Sequence, residues 1–402
     1  MSIVETKEKM KMIQSVLLEF LEDESNTEEN YEKFFKIFTE YQITEDKYIF
    51  KAMLVLLSAI GNNHRRVPNF ISKLEQILTK IKKDIQNHFS NSEIFLIFKS
   101  NKRILLFLFE EKIITIDEYI VLQITSNRFY RKNYTEYFLP EIKPFLTEEF
   151  IQKNRSRRRS LNDEGFTDTL KKEIPEEFYD KRKKGENDDY LCELIRTNQV
   201  KDFIAFINRS NISPESYIKK SIFETNQLLI GKADISLIEY ASFYGSNDII
   251  RFLQINENVM LTQSLWIYAI HSGDAELIKY LEDNQVSPPE DKYETVLKES
   301  IKCHHNDVSN YVIEYLIKEE DQKNNIESNY DDNLYRYAIE SYNYCFFPEN
   351  MKCKNIFFYL CEFNYYSLVS LYLAEEKVDI NEKIKKINHL NNIFKSKKFM
   401  KF

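Results

Sequence analysis

The chain has 402 residues, with 56 Lys+Arg against 64 Asp+Glu for a formal net charge of −8, and it is 43% hydrophobic, 30% charged and 14% aromatic. Only 6 Gly and 8 Pro punctuate it. That scarcity argues against Gly-rich phosphate loops, turn-dense β-sandwiches, collagen and Pro-rich linkers, and favours helices joined by Asn- and Asp-containing turns. The acidic balance argues against binding nucleic acid through an overall field.

From the N-terminus, Met1 to Gln14 is charged and has no apolar h-region, so no secretory signal is read. The longest apolar runs, around Ala52–Ile60 and Ile104–Phe109, fall far short of the roughly 20 residues that span a bilayer. Five cysteines at irregular spacings (Cys192, Cys303, Cys345, Cys353, Cys361) are expected to be reduced thiols of a soluble, cytoplasmic protein. Ile13, Val16, Leu17, Phe20 and Leu21 form a helical i, i+3, i+4, i+7, i+8 stripe. Further helices are expected over Tyr31–Tyr41, Asp46–Ile60, Pro68–Phe89, Glu93–Phe109, Asp117–Ile124 and Tyr134–Leu139, the last stopped by Pro140. Thr115 with Glu118 matches a capping box, and Pro68 suits a first helical turn. Residues 1–150 thus read as an all-helical domain.

Residues 151–188 read as a charged linker with some helix. Arg155, Arg157, Arg158 and Arg159 surround two serines, and Ser160 after three arginines would suit a basophilic kinase. Lys181-Arg182-Lys183-Lys184 follows. Nuclear import is an alternative for the two basic clusters; solvated charge is the plainer one.

The second half contains an internal repeat. Ser236-Leu-Ile-Glu-Tyr-Ala-Ser-Phe-Tyr-Gly245 aligns with Ser264-Leu-Trp-Ile-Tyr-Ala-Ile-His-Ser-Gly273, and each runs into a second amphipathic helix, Asp248–Leu253 or Ala275–Leu281. Val296–His304 with Val308–Leu316, Leu191–Asn198 with Val200–Ile207, and Phe357–Asn364 with Ser367–Leu373 repeat the layout. A small residue (Ala241, Ala269, Ser300, Ala338) lets first helices pack closely, while glycine, or Asn198, His304 and Asn364, ends them in the left-handed conformation. One such unit cannot bury its apolar face; several stacked ones can. An insertion, the helical segment Glu215–Leu229, lengthens the first spacing. The register of a helix over Leu334–Ile339 stays ambiguous.

These residues resemble ankyrin repeats, and Val378-Asp-Ile-Asn381 looks like their closing hairpin signature. Ile174-Pro-Glu-Glu-Phe-Tyr, Ser264-Leu-Trp-Ile-Tyr-Ala-Ile-His, Lys298-Glu-Ser-Ile-Lys-Cys-His-His-Asn and Asn91-Ser-Glu-Ile-Phe-Leu-Ile-Phe-Lys-Ser-Asn-Lys-Arg-Ile-Leu-Leu-Phe are similar to a divergent ankyrin family expanded in parabasalid protists. Its members carry a domain of unknown function and a helical N-terminal part. The resemblance implies an all-α fold, with a helical N-terminal domain followed by an ankyrin-type α-solenoid over residues 189–385; residues 386–402, in a departure from the family, read as a basic tail. It further implies that the two residues before each turn face a concave groove and carry partner specificity: Arg196 and Thr197, Phe243 and Tyr244, His271 and Ser272, Lys302 and Cys303. Burial of the same rings between repeats is the competing reading.

No catalytic constellation is read: there is no Gly-x-Ser-x-Gly, His-Glu-x-x-His or phosphate-cradling loop. His304 and His305 diverge by about 100° on a helix, and Cys345, Cys353 and Cys361, eight apart, lack zinc-site spacing. No metal and no cofactor is therefore expected. The function expected is noncatalytic protein–protein binding as a scaffold or adaptor, with no nucleic acid and no membrane span. The alternative is a regulatory or substrate-recruiting subunit of a larger complex, such as a ubiquitin ligase, docked through the N-terminal helices.

Overall fold

The computed structural model describes residues 2–24, 27–65, 67–126, 133–154, 173–318, 330–351 and 355–376. The Arg155–Ser160 cluster, Val378–Asn381 and the tail from Lys395 lie outside them. Among the described residues the chain is all-helical, with no strand and an isolated antiparallel bridge between Tyr217 and Ser236. No described helix is long and apolar enough to cross a membrane.

In chain order the first half runs α1 Ile3–Glu22, α2 Glu28–Glu40, α3 Lys47–Asn63, α4 Phe70–Lys80, α5 Lys82–His88, α6 Asn91–Phe98, α7 Lys102–Glu110, α8 Glu118–Ile124, α9 Tyr134–Tyr137, α10 Leu139–Ile142 and α11 Glu148–Asn154. The second half continues with α12 Glu177–Lys184, α13 Tyr190–Arg196, α14 Val200–Arg209, α15 Gln227–Gly231, α16 Leu237–Tyr244, α17 Asn247–Arg251, α18 Leu265–Ser272, α19 Ala275–Asp283, α20 Glu294–Lys302, α21 Asn306–Tyr311, α22 Tyr330–Glu340, α23 Ile356–Glu362 and α24 Tyr366–Glu376.

Short polar side chains set the starts. Ser2 with Glu5 and Ser90 with Glu93 form complete capping boxes, in which hydroxyl and carboxylate each accept an otherwise orphaned amide. The expected box at Thr115 is not the one used. Asp117 caps α8 by accepting from Ile120 N, and Thr115 instead bonds Asn91. Two long helices expected from periodicity are broken. Ile81 separates α4 from α5, and Asn101, whose side chain caps α7, separates α6 from α7. Pro68 precedes α4, whose start is Phe70, and Pro140 lies in the first turn of α10, where a missing N–H costs nothing.

The chain groups into two compact units, residues 1–56 with 327–402, and residues 57–326. In the first unit Ile13, Leu17, Phe20 and Leu21 are buried as the stripe requires, and Val16 is half-buried. Phe20 stacks on Phe34 with centroids 4.6 Å apart. Gln14 donates to Asn343 Oδ1 at 2.7 Å and accepts from Tyr344 N at 2.6 Å, so a buried amide is satisfied on both sides.

The second unit holds four helix pairs: α13/α14, α16/α17, α18/α19 and α20/α21. Their first helices pack on one another in chain order, α13 on α16, α16 on α18, α18 on α20. Ala241, Ala269 and Ser300 are fully buried, which is what close approach of these helices requires. Every first helix ends in a left-handed residue: Asn198 (φ 51°), Gly245 (66°), Gly273 (66°) and His304 (58°). A second left-handed residue (Asn211, Asn258, Gln285) follows twelve or thirteen positions later in three of the pairs. The second helices α17 and α21 widen into π-turns at Phe252–Asn256 and Val312–Ile317, a feature no sequence period announces. In the first unit Ala338 is buried and Tyr342 (φ 58°) follows it at the same offset as Gly245 follows Ala241. The turn after α22 thus has the same four-residue offset from a small buried residue.

Two expectations need correction. The segment Glu215–Leu229 is not a helix, since only α15 is helical there and the rest is turns and extended chain. The Lys181–Lys184 run is not simply solvated. It lies in α12, and Arg182 is 2% exposed. Its guanidinium makes a two-pronged contact with Glu141 at 2.7 and 2.8 Å and donates to Tyr137 O at 3.0 Å. Burying that charge is tolerable because the fork is satisfied on a carboxylate.

Candidate functional site

Within residues 57–326, a cleft of about 520 Å³ opens where the turns after α16 and α18 face the segment just beyond α3. Its walls are Phe243, Tyr244, Gly245 and His271 to Glu276 on the repeat side, and His64, Arg65, Val67 and Pro68 opposite. Glycine suits both turns: each φ of 66° favours a residue without a Cβ. Asp274 caps α19 by accepting from Leu277 N at 3.0 Å and accepts at its other oxygen from Asn247. One rim is thus acidic (Asp274, Glu276), with exposed Arg65 across from it.

The eight residues expected to face a partner do not share one exposure. Thr197 is exposed, and Arg196, Tyr244 and Lys302 are half-buried. Phe243, His271, Ser272 and Cys303 are buried. Phe243 and His271, at equivalent positions of successive pairs, stack on each other with centroids 4.6 Å apart and planes 22° from parallel. Arg196 donates to Tyr240 Oη and to Asn187 O and pairs with Glu186. The row is therefore partly closed by the chain itself. His64 Nδ1 lies 2.7 Å from Cys303 O, and its ring sits 4.7 Å from that of His305.

Under the cleft lies a cluster that neighbours along the chain do not reveal. Five of the chain's 6 histidines lie in this unit, and four of those, His64, His271, His304 and His305, are buried. His271 Nδ1 is 3.2 Å from Glu299 Oε1 and 3.2 Å from Cys303 Sγ, and that sulfur is 3.6 Å from the same carboxylate oxygen. Lys302 Nζ reaches both Glu299 oxygens at 3.0 and 3.1 Å. On the far side of the ring, Asn226 Nδ2 lies 3.3 Å from His271 Nε2, while Asn226 Oδ1 accepts from Leu228 N at 2.9 Å.

Electrostatics here follow burial first. Desolvation lowers the His271 pKa, with Glu299 opposing, and desolvation pushes the Cys303 thiol well up. Glu299 resists the same desolvation because His271 and Lys302 hold its carboxylate down at about 2. Burial thus favours the uncharged imidazole and thiol, while His271 and Lys302 favour the ionised carboxylate. The only sequence signal for this triad was Cys303 beside His304 and His305. The helical period that separates those two histidines says nothing about His271, brought in from the preceding pair. No protein-family model, no curated protein and no solved structure matches this chain.

Proposed function

We propose that this chain is a noncatalytic, cytoplasmic adaptor whose residues 189–385 form a divergent ankyrin-type solenoid and whose cleft takes a segment of a protein partner. The observation that carries this reading is the ordered packing of first helices, each closed by a left-handed turn, with a cleft at two of those turns. The same four-residue step from a buried small residue to the turn recurs at Ala241, Ala269 and Ser300, and such recurrence is what a stacked repeat needs to present an extended binding face. The cleft offers the mixture that protein segments use: the half-buried ring of Tyr244, the carboxylates of Asp274 and Glu276, and the guanidinium of Arg65.

The test is affinity capture with the full-length chain, because His64 to Pro68 line the cleft together with the repeats. A specific partner should be captured by the wild type and lost on Tyr244→Ala combined with Glu276→Lys. Capture that both substitutions leave unchanged would place the partner surface elsewhere.

A further inference from the structure

From the triad beneath the cleft we infer a zinc-type metal site formed by His271 Nδ1, Glu299 Oε1 and Cys303 Sγ. The three atoms lie on edges of 3.2, 3.2 and 3.6 Å. A tetrahedral Zn²⁺ with N and O at about 2.0–2.1 Å and S at about 2.3 Å sets edges of roughly 3.3–3.6 Å. The ligand atoms are thus spaced for one ion with little movement. An N, O and S donor set suits borderline Zn²⁺ better than Mg²⁺ or Ca²⁺, which take oxygens. Three protein ligands leave a fourth position for water or an exogenous group, and His271 also lines the cleft.

Two neighbours must adjust. Lys302 now contacts both oxygens of Glu299; on coordination it keeps Oε2 and cedes Oε1, which a half-buried ammonium on a flexible stem can do. The thiol loses its proton to solvent, so an ion of charge +2 replaces one proton. Asn226 is the poorer fit. With the ion on Nδ1, the ring proton moves to Nε2 and meets the amide hydrogens of Asn226, whose oxygen is held by Leu228 N. The amide must turn over and release that cap bond. Asn226→Asp removes the conflict, since one carboxylate oxygen can keep Leu228 N while the other accepts from Nε2–H. That is the carboxylate–histidine–metal arrangement that orients ligating histidines.

The experiment uses full-length protein stripped with a chelator under reducing conditions and titrated with Zn²⁺ or Co²⁺. One ion per chain should survive dialysis, and the Co²⁺ form should show a thiolate-to-metal charge-transfer band. Cys303→Ala should abolish the band and weaken binding by about a hundredfold or more, Cys192→Ala should change neither, and Asn226→Asp should tighten binding about tenfold. A purely structural His–Glu–Lys network would not gain metal affinity from that last change. X-ray absorption at the zinc edge of the wild type, independent of any variant's folding, should show one sulfur among N/O neighbours. No stoichiometric retention, a first shell without sulfur or with two, or a band that survives Cys303→Ala would each overturn the assignment.

Discussion

The pairs α16/α17 and α18/α19 share the left-handed glycine turn between their helices and differ at their starts and surroundings. Both first helices begin after a serine and end in a glycine at φ 66°. Ser236 has Glu239 three residues on, and the two form a capping box. Ser264 has Ile267 at that position and makes no cap bond. Its hydroxyl donates instead to Glu239 Oε1 at 2.5 Å, so one carboxylate serves the starts of two helices. The ends differ as well. A Cβ on Gly245 would meet Asp274 Oδ2 at 3.0 Å, the far end of a half-buried side chain, whereas one on Gly273 would meet the buried ring of His305 at 3.1 Å. Repetition therefore fixes the turn, and the neighbours decide what each position tolerates.

The largest effect that can break this comparison is at the stacked pair Phe243 and His271. Phe243→Ala empties a buried ring site and should cost about 3–5 kcal/mol, read as a fall in the denaturant midpoint. A loss under about 1 kcal/mol would mean the ring is not part of the stack. Next comes Gly273→Val, which forces a β-branched side chain into positive φ and against His305. It should cost about 3 kcal/mol, and wild-type-like thermal unfolding would refute the assigned turn.

Gly245→Ala sharpens the contrast. It carries the left-handed penalty of about 1–2 kcal/mol while Asp274 can give way, so it should be clearly milder than the same change at Gly273. Equal midpoints for the two alanine variants would erase the distinction. Tyr244→Ala should change stability by under about 1.5 kcal/mol but weaken partner capture by about 2 kcal/mol if the ring anchors a partner.

The smallest effect concerns acid. Burial pushes the Glu239 carboxyl up, but Lys232, Ser264 and Ser236 win and hold it below its ordinary 4.5. A value lowered by folding contributes stability that is present above pH 4.5 and lost as the pH falls through the folded value. Glu239→Gln should flatten that acid limb of the stability profile. An unchanged slope would show that the shared carboxylate adds nothing.

The helical class, the turn residues and the small buried positions were legible because each depends on the chain within four or five residues. Asn198 and His304 could be assigned left-handed turns without glycine, since Asn and His are among the side chains that best tolerate positive φ. Other features were hidden by distance. Ser264 looks like an N-cap and is turned aside by a carboxylate 25 residues earlier. Lys181–Lys184 looks like solvated charge until Glu141, 41 residues away, claims Arg182. His271 reaches Cys303 across 32 residues, where periodicity carries no information. Asn101 breaks what reads as one helix because its side chain, a better cap than a helix interior residue, finds Ile104 N.

The buried thiol in α13 has a practical consequence. Burial, helped by Asp189, pushes Cys192 up to about 12, which disfavours the reactive thiolate. A maleimide or iodoacetamide can then reach this sulfur only when the first helix pair opens. With the other cysteines replaced, the labelling rate of Cys192 becomes a clock for that opening. Comparing it with the global unfolding rate would tell whether the pair frays alone or goes with the whole stack.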